Sequence, residues 1–379
     1  MSIASQTQQR AEALPDDELR RLYRLMVLIR RFEERAEEQY TRDRIGGYLH
    51  NNIGEEATVV GLVAALQPDD YIFTSYRDHG VALAIGATPQ TAMAELFGKE
   101  TGLAHGRGGS MHMLDVKRHF LGGWGIVGGQ VPIAVGAALA LEYQDLPGAV
   151  MCLLGDAAVN IGAFHEAMNL AGVWNLPFLA VITNNLYGMG TSVERASAEP
   201  ELYKRASAYR MPSERVDGQD TLAVREAAVR LMRLARDERQ PCLLECMTYR
   251  YTGHSIADPG RGYRTPEEVE SWKHRDPVTL FGARLRERGL MDDQGAQAIA
   301  AEVEQEVQDA IDFSLQSPDP DPAALYQHMY GSGSQEQFAR MSAGAPFGEA
   351  SIEATCEVSP SLPTPTSPAP TQAAGERGN

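Results

Sequence analysis

The hydrophobic pattern opens on a long amphipathic stretch. From Pro15-Asp16-Asp17 onward, Leu19, Leu22, Met26, Ile29, Phe32, Ala36 and Tyr40 recur at three- and four-residue steps, the spacing of one face of an α-helix. Arg20, Arg21, Arg30, Arg31, Glu33, Glu34, Glu37 and Glu38 fall largely between them as a solvated face, and Gly46-Gly47 is expected to end the helix. The period then changes. Residues 71–74, 150–154, 178–182 and 242–245 are short apolar or β-branched runs that read as strands. The second and third are almost unbroken, as expected of strands covered by helices on both faces. Helix-period segments over 130–143, 163–174 and 221–235 lie between them. The fold class expected is therefore α/β, with one open, mostly parallel sheet and helices on both faces.

Helical additions are expected at both ends. Thr265-Pro266-Glu267-Glu268 combines a cap, a first-position proline and first-turn acids, and opens a helical region reaching residue 289; another covers 292–315. From Gly331 the composition shifts to Gly, Ser, Ala, Thr and Pro. The organisation expected is a disordered N-terminus over 1–14, one α/β domain over 15–330, and a disordered tail over 331–379.

Composition narrows the function. The chain has 379 residues, 43% of them apolar, which is enough to bury a substantial core. A formal charge of −17, spread along the chain, argues against nucleic-acid and membrane-surface partners, which call for basic patches. Cys152 lies in an apolar run, and Cys242 and Cys246 share one strand face too far apart to bridge. Neither these nor Cys356 form a zinc-like cluster, so a reducing compartment is expected. No segment is apolar enough to span a bilayer, and Glu12, Asp16 and Asp17 are unlike a presequence, so the expected location is cytoplasmic.

The candidate chemistry sits at two strand ends. Leu153-Leu154-Gly155-Asp156-Ala157-Ala158-Val159-Asn160 is followed by a helix, a second strand and Thr183-Asn184-Asn185, a span of roughly 30 residues, the size of one βαβ unit. Ligands of such sheets bind outside the carboxyl ends of the strands, so Asp156 and Asn185 are expected to face one crevice. One carboxylate and one amide oxygen suit Mg2+, which completes its shell with phosphates and water. A helix starting near Asn160 would aim free N–H groups at the same place.

This unit resembles the thiamine diphosphate fingerprint Gly-Asp-Gly…Asn-Asn, with Ala157 where the pattern has glycine. Further motifs follow in order: Gly47-Tyr48-Leu49-His50, Gly54-Glu55-Glu56-Ala57, Tyr76-Arg77-Asp78-His79-Gly80, Gly108-Gly109-Ser110-Met111-His112-Met113, Gly125-Ile126-Val127-Gly128-Gly129-Gln130, Tyr187-Gly188-Met189-Gly190-Thr191-Ser192, and Tyr249 to Pro259. From Phe32 to about Tyr330 their order resembles the alpha subunits of thiamine-diphosphate-dependent 2-oxo acid dehydrogenases, the pyruvate-decarboxylating branch above all. Glu55 stands where relatives often carry glutamine.

The resemblance implies roles. Asp156, the Asn185 side chain and the Tyr187 carbonyl would hold Mg2+; Tyr76, Arg77 and the Ala157 and Ala158 amides would hold the diphosphate. Gly125 and Val127 would present backbone groups to the aminopyrimidine, and His254 would touch the diphosphate or the reacting group. His50 would hold the substrate carboxylate or act in acyl transfer. His79, His105, His112 and His119 are weaker candidates; His105 and His112 flank Gly106-Arg107-Gly108-Gly109-Ser110, a flexible segment expected to shape the pocket wall rather than do chemistry. Ser192 and Ser255 fall in the two loops that are phosphorylated in mitochondrial relatives. The resemblance further implies thiamine-diphosphate-dependent oxidative decarboxylation of pyruvate, with the two-carbon unit passing to the lipoyl domain of dihydrolipoyl acetyltransferase. A beta subunit would supply the glutamate for the aminopyrimidine in an α2β2 assembly. Alternative readings are a branched-chain 2-oxo acid or acetoin dehydrogenase alpha subunit, or a non-catalytic assembly subunit, the last suggested only by Ala157.

Overall fold

The apolar runs form the interior of a six-stranded, wholly parallel sheet. The computed structural model describes residues 14–326. Its strands are β1 (Tyr71–Ser75), β2 (Phe120–Trp124), β3 (Val150–Gly155), β4 (Phe178–Asn184), β5 (Tyr187–Gly188), β6 (Thr191–Ser192), β7 (Ser213–Asp217) and β8 (Cys242–Met247). β5 and β6 pair as a small hairpin, and the other six form one sheet in the order β2-β1-β3-β4-β8-β7. β2 and β7 escape the hydrophobic pattern because they are edges: β2 carries Gly122-Gly123 and β7 is Ser-Glu-Arg-Val-Asp, with one apolar side chain.

The helices are α1 (Asp16–Tyr40), α2 (Glu56–Val63), α3 (His79–Ala84), α4 (Pro89–Leu96), α5 (Gln130–Tyr143), α6 (Gly162–Trp174), α7 (Val193–Ala196), α8 (Thr221–Glu238), α9 (Pro266–Lys273), α10 (Pro277–Glu287) and α11 (Asp293–Gln316). α1 stops at Tyr40, short of Gly46-Gly47, because Asp43 takes a left-handed φ of 57° and reverses the chain. The helical region expected over 265–289 consists of two helices. Asp276 caps a new helix by accepting from the Thr279 N–H, and Pro277 has no N–H with which to continue the old one. α6 begins at Gly162 rather than Asn160, because a 3-10 turn, Asp156–Asn160, follows β3 directly.

Alternate strand residues serve two cores. Ile72, Met151, Leu153, Val181 and Leu244 face the side covered by α1, α2 and α8, and Phe73, Cys152, Leu154, Ala180 and Ile182 face the side covered by α5 and α6. Each such fully buried large side chain contributes about 1.5–3 kcal/mol. Cys242 and Cys246 lie on the same face, and both are free thiols. The sheet and the eleven helices of the described residues belong to one compact unit ending at Pro320, and the described residues beyond it include a short 3-10 turn, Pro322–Tyr326. The ends expected to be disordered lie, but for Leu14, outside the described residues. Among the described residues no helix is long and apolar enough to cross a membrane.

What the sheet does for function follows from its order. The chain leaves β1 towards β2 on one side, whereas β3 and its successors build the other side. The strand order therefore reverses between β1 and β3, and the crevice beyond their carboxyl ends is where open α/β sheets bind ligands.

Candidate active site

A cavity of about 400 Å³ occupies that crevice. All eleven candidate residues line it: His50, Tyr76, Arg77, Gly125, Val127, Asp156, Ala157, Ala158, Asn185, Tyr187 and His254. They come from six separate segments. Tyr76 and Arg77 leave β1, Asp156 to Ala158 form the turn after β3, and Asn185 and Tyr187 follow β4. The pairing of Gly155 with Thr183 sets the last two groups side by side. His254 comes from the loop after β8, His50 from the loop before α2, and Gly125 and Val127 from the loop before α5. Ala157 and Ala158 of the 3-10 turn line the cavity, whereas Ile161 and Gly162 at the start of α6 do not.

Three aromatic rings stand together on one wall. The centroids of His50 and Tyr76 are 4.6 Å apart, those of His50 and His254 5.2 Å, and those of Tyr76 and His254 5.6 Å. Arg77 passes beneath them, nearly buried, donating from one Nη to the Asn51 carbonyl and from the other to the His254 carbonyl at 3.0 Å. Burial and the Arg77 charge pull both imidazoles down, His50 to about 3 and His254 to about 4. Both rings are therefore neutral near neutral pH. Burial pushes the Asp156 carboxyl up to about 6, opposed by backbone N–H donors, Asn185's included, and by the Arg250 guanidinium.

The histidine shifts have a sign that can be tested. An unfolded histidine titrates near ~6.5, so between that value and the folded ones the folded chain binds fewer protons. The pair's contribution to stability is complete above about 6.5 and is lost as pH falls towards 4 and then 3. We expect ring 15N spectra of the ligand-free protein to show His50 and His254 still neutral at a pH of about 5, one and a half units below the ordinary midpoint. Midpoints near the ordinary value would mean that the rings are solvated.

Several residues that hold this wall were given no role by the sequence. Arg250, 1% exposed, donates to the Asn185 Oδ1 at 3.3 Å, the Tyr187 carbonyl at 3.2 Å and the Met189 carbonyl at 3.1 Å. Each of these oxygens keeps a second lone pair, so the Asn185 Oδ1 and the Tyr187 carbonyl could face a hard cation as well. Among the described residues no group of three or more His, Cys, Asp or Glu side chains could hold a metal, so a cation here would depend on one carboxylate, neutral oxygens and its own anionic ligand. His79 is buried behind the wall, its Nδ1 2.8 Å from Glu33 and its Nε2 2.9 Å from the Ser110 hydroxyl. Ser110 in turn accepts from the His50 N–H. His119 stacks on Tyr71 and His105 is exposed, so neither reaches the cavity. His112 lies behind Gly125, where a side chain in place of that glycine's hydrogen would come within 3.0 Å of its ring.

Ala157 is accommodated. Its φ is not positive, and its methyl carbon lies 2.3 Å from where a Cβ on Gly188 would stand. Gly188 thus makes the room that a glycine at 157 would otherwise leave.

A cleft at the switch point of a parallel sheet, with guanidinium, carboxylate and carboxamide at its strand ends, is where an open α/β sheet binds a polar ligand. The chain belongs to the dehydrogenase E1 component family, oxidoreductases that depend on thiamine diphosphate, whose model matches residues 24–323. It is 43% identical over 317 residues to the pyruvate dehydrogenase E1 component subunit alpha of Rhizobium meliloti, covering 83% of this chain and 90% of that protein. Against the protein of the same name from Zymomonas mobilis the identity is 43% over 320 residues, covering 83% and 88%. The human somatic mitochondrial form is 42% identical over 311 residues, covering 82% and 79%.

Proposed function

We propose that this chain is the alpha subunit of an E1 enzyme that decarboxylates pyruvate oxidatively and passes the acetyl unit to a lipoyl group. The observation that carries the reading is the convergence of all eleven candidate residues on one cavity in a chain whose relatives bear that name. Asp156, the Asn185 Oδ1 and the Tyr187 carbonyl would hold Mg2+. Tyr76, Arg77 and the amides of Ala157 and Ala158 would hold the diphosphate, the guanidinium as a fork already fixed by two carbonyls. When bound, thiamine diphosphate supplies the carbon nucleophile and the electron sink for loss of CO2. The chain's own part is to bind, orient and move protons. His50 and His254, neutral and 5.2 Å apart, can each accept a proton or donate a hydrogen bond to a carboxylate or carbonyl oxygen.

A beta subunit completes the reading. Among the described residues Glu55 is the only glutamate lining the cavity, and it is engaged by Asn185. The glutamate that activates the aminopyrimidine must then come from elsewhere. Ile126 and Val127 stand exposed at the cavity's rim, and Ile133, Tyr143, Val173 and Trp174 are exposed on α5 and α6. The two at the rim offer apolar surface beside the cleft, and those on α5 and α6, helices that run away from it, add further exposed apolar side chains, which fits a permanent partner. The test is reconstitution with the beta subunit, and rates with pyruvate, a branched 2-oxo acid and acetoin. We expect activity only in the assembled enzyme and at least a ~10-fold preference for pyruvate, which corresponds to about 1.4 kcal/mol at the transition state. Faster turnover of the branched acid or acetoin would move the chain to a sibling enzyme, and full turnover by the chain alone would remove the partner.

A further inference from the structure

We infer that Glu55 is a positioning residue for the metal, fixing the Asn185 carboxamide so that only its oxygen can face the cation; this rests on the metal-site reading above. A primary amide has two ends of similar shape, one donor and one acceptor, and its orientation is set by its partners. Here the two partners have opposite character. The Asn185 Nδ2 donates to the Glu55 Oε1 at 2.7 Å, and the Asn185 Oδ1 accepts from the Arg250 Nε at 3.3 Å. An ionised carboxylate only accepts and a guanidinium only donates, so a flipped amide would meet oxygen with oxygen and N–H with N–H.

The setting sharpens the constraint. Glu55, Asn185 and Arg250 are 3%, 9% and 1% exposed, so a wrong orientation at their two hydrogen bonds is costly. Glu55 and Asn185 both line the cavity, and the second Glu55 oxygen lies 3.8 Å from the Arg77 Nε, which keeps the carboxylate beside a positive charge. Glu55 therefore joins the residue that would bind the metal to the one that would bind the diphosphate, and does so from a loop 130 residues away from Asn185. Its negative charge lies behind the Asn185 carboxamide, where it would favour a cation on the amide's other side.

The variants Glu55→Ala and Glu55→Gln separate the two contributions. Glutamine keeps an acceptor for the Asn185 Nδ2 but loses the charge and lets either amide flip; alanine loses both. In the assembled enzyme with thiamine diphosphate, binding of Mn2+ followed by the loss of its free-ion EPR signal should weaken about 10-fold in E55A and about threefold in E55Q. Those shifts correspond to about 1.4 and about 0.6 kcal/mol. The melting temperature of the metal-free protein is the control, since a merely structural role would lower it in E55A and leave the Mn2+ titration unchanged. Wild-type affinity in E55A, or equal losses in both variants, overturns the inference while leaving the metal site in place. Absence of Mn2+ binding in the wild-type enzyme overturns the metal-site reading and this inference together.

Discussion

Replacing Glu95 with glutamine is expected to open the segment 104–109 and to cost about 2–6 kcal/mol locally. The Glu95 side chain on α4 is fully buried, yet it has no cationic partner among its hydrogen bonds. Four backbone N–H groups take that place: Ala104 at 2.7 Å and Gly106 at 2.9 Å on one oxygen, and Gly108 at 2.7 Å and Gly109 at 3.0 Å on the other. The carboxylate acts as the template on which the glycine-rich loop is wound. Glutamine can satisfy two of those donors and turns its own N–H groups against the other two, each worth about 1–3 kcal/mol when left buried and unpaired. Leucine would leave all four unpaired and should prevent accumulation of folded protein. The check is hydrogen exchange at the four amides, which reports local opening without requiring two-state unfolding of the whole chain. Protection in E95Q within about 0.5 kcal/mol of wild type, below the cost of even one unpaired donor, would show that the loop holds its own shape.

The effect should reach the cavity, because the same segment runs into Ser110 and Met111. Ser110 receives the His50 N–H and contacts His79, and Met111 lines the pocket. A loosened loop would free the His50 backbone on one side while Tyr76 and His254 still pack its ring on the other.

Glu95 also marks where sequence reading stops. The interior strands were legible because burial on both faces forces an unbroken apolar run, as in β3 and β4. Edge strands β2 and β7 escape that demand, so glycine and charge are tolerated there and the pattern vanishes. Asp156 and Asn185 were legible for a related reason, since an acid or an amide at the carboxyl end of a buried strand faces the crevice, whereas the other candidates rested on the resemblance alone. The supporting residues carry no such signature. Glu95 sits in Ala-Glu-Leu within an ordinary helix, and nothing local reveals that its oxygens face four amides of a later loop. Glu55 and Arg250 meet Asn185 only through sheet topology, with sequence separations of 130 and 65. Patterns with a short period report elements; contacts set by crossovers do not leave one.

The second large effect concerns Ala157, the one residue at the strand end that departs from the fingerprint. Gly188→Ala is expected to weaken thiamine diphosphate binding by about 10- to 100-fold, and Ala157→Gly added to it should restore affinity to within about twofold. The new Cβ would stand 2.3 Å from the Ala157 Cβ, whereas non-bonded carbons settle at about 3.5–4.0 Å. The 3-10 turn is fixed to β3 and the hairpin to β4, so relief must come from displacing one of them, at about 1–3 kcal/mol for an overpacked site. Either movement shifts groups proposed to hold the cofactor: the Ala157 amide on one side, the Tyr187 carbonyl on the other. Removing the Ala157 methyl takes away the opposing atom, so the double variant isolates the contact itself, as a double-mutant cycle does for residues that touch. Calorimetric titration of the assembled enzyme with thiamine diphosphate and Mg2+ gives all four affinities. A double variant no tighter than Gly188→Ala alone would mean that the contact with the Ala157 methyl is not what the substitution disturbs, and that Ala157 sits where glycine is expected without any compensating change in the β5–β6 hairpin.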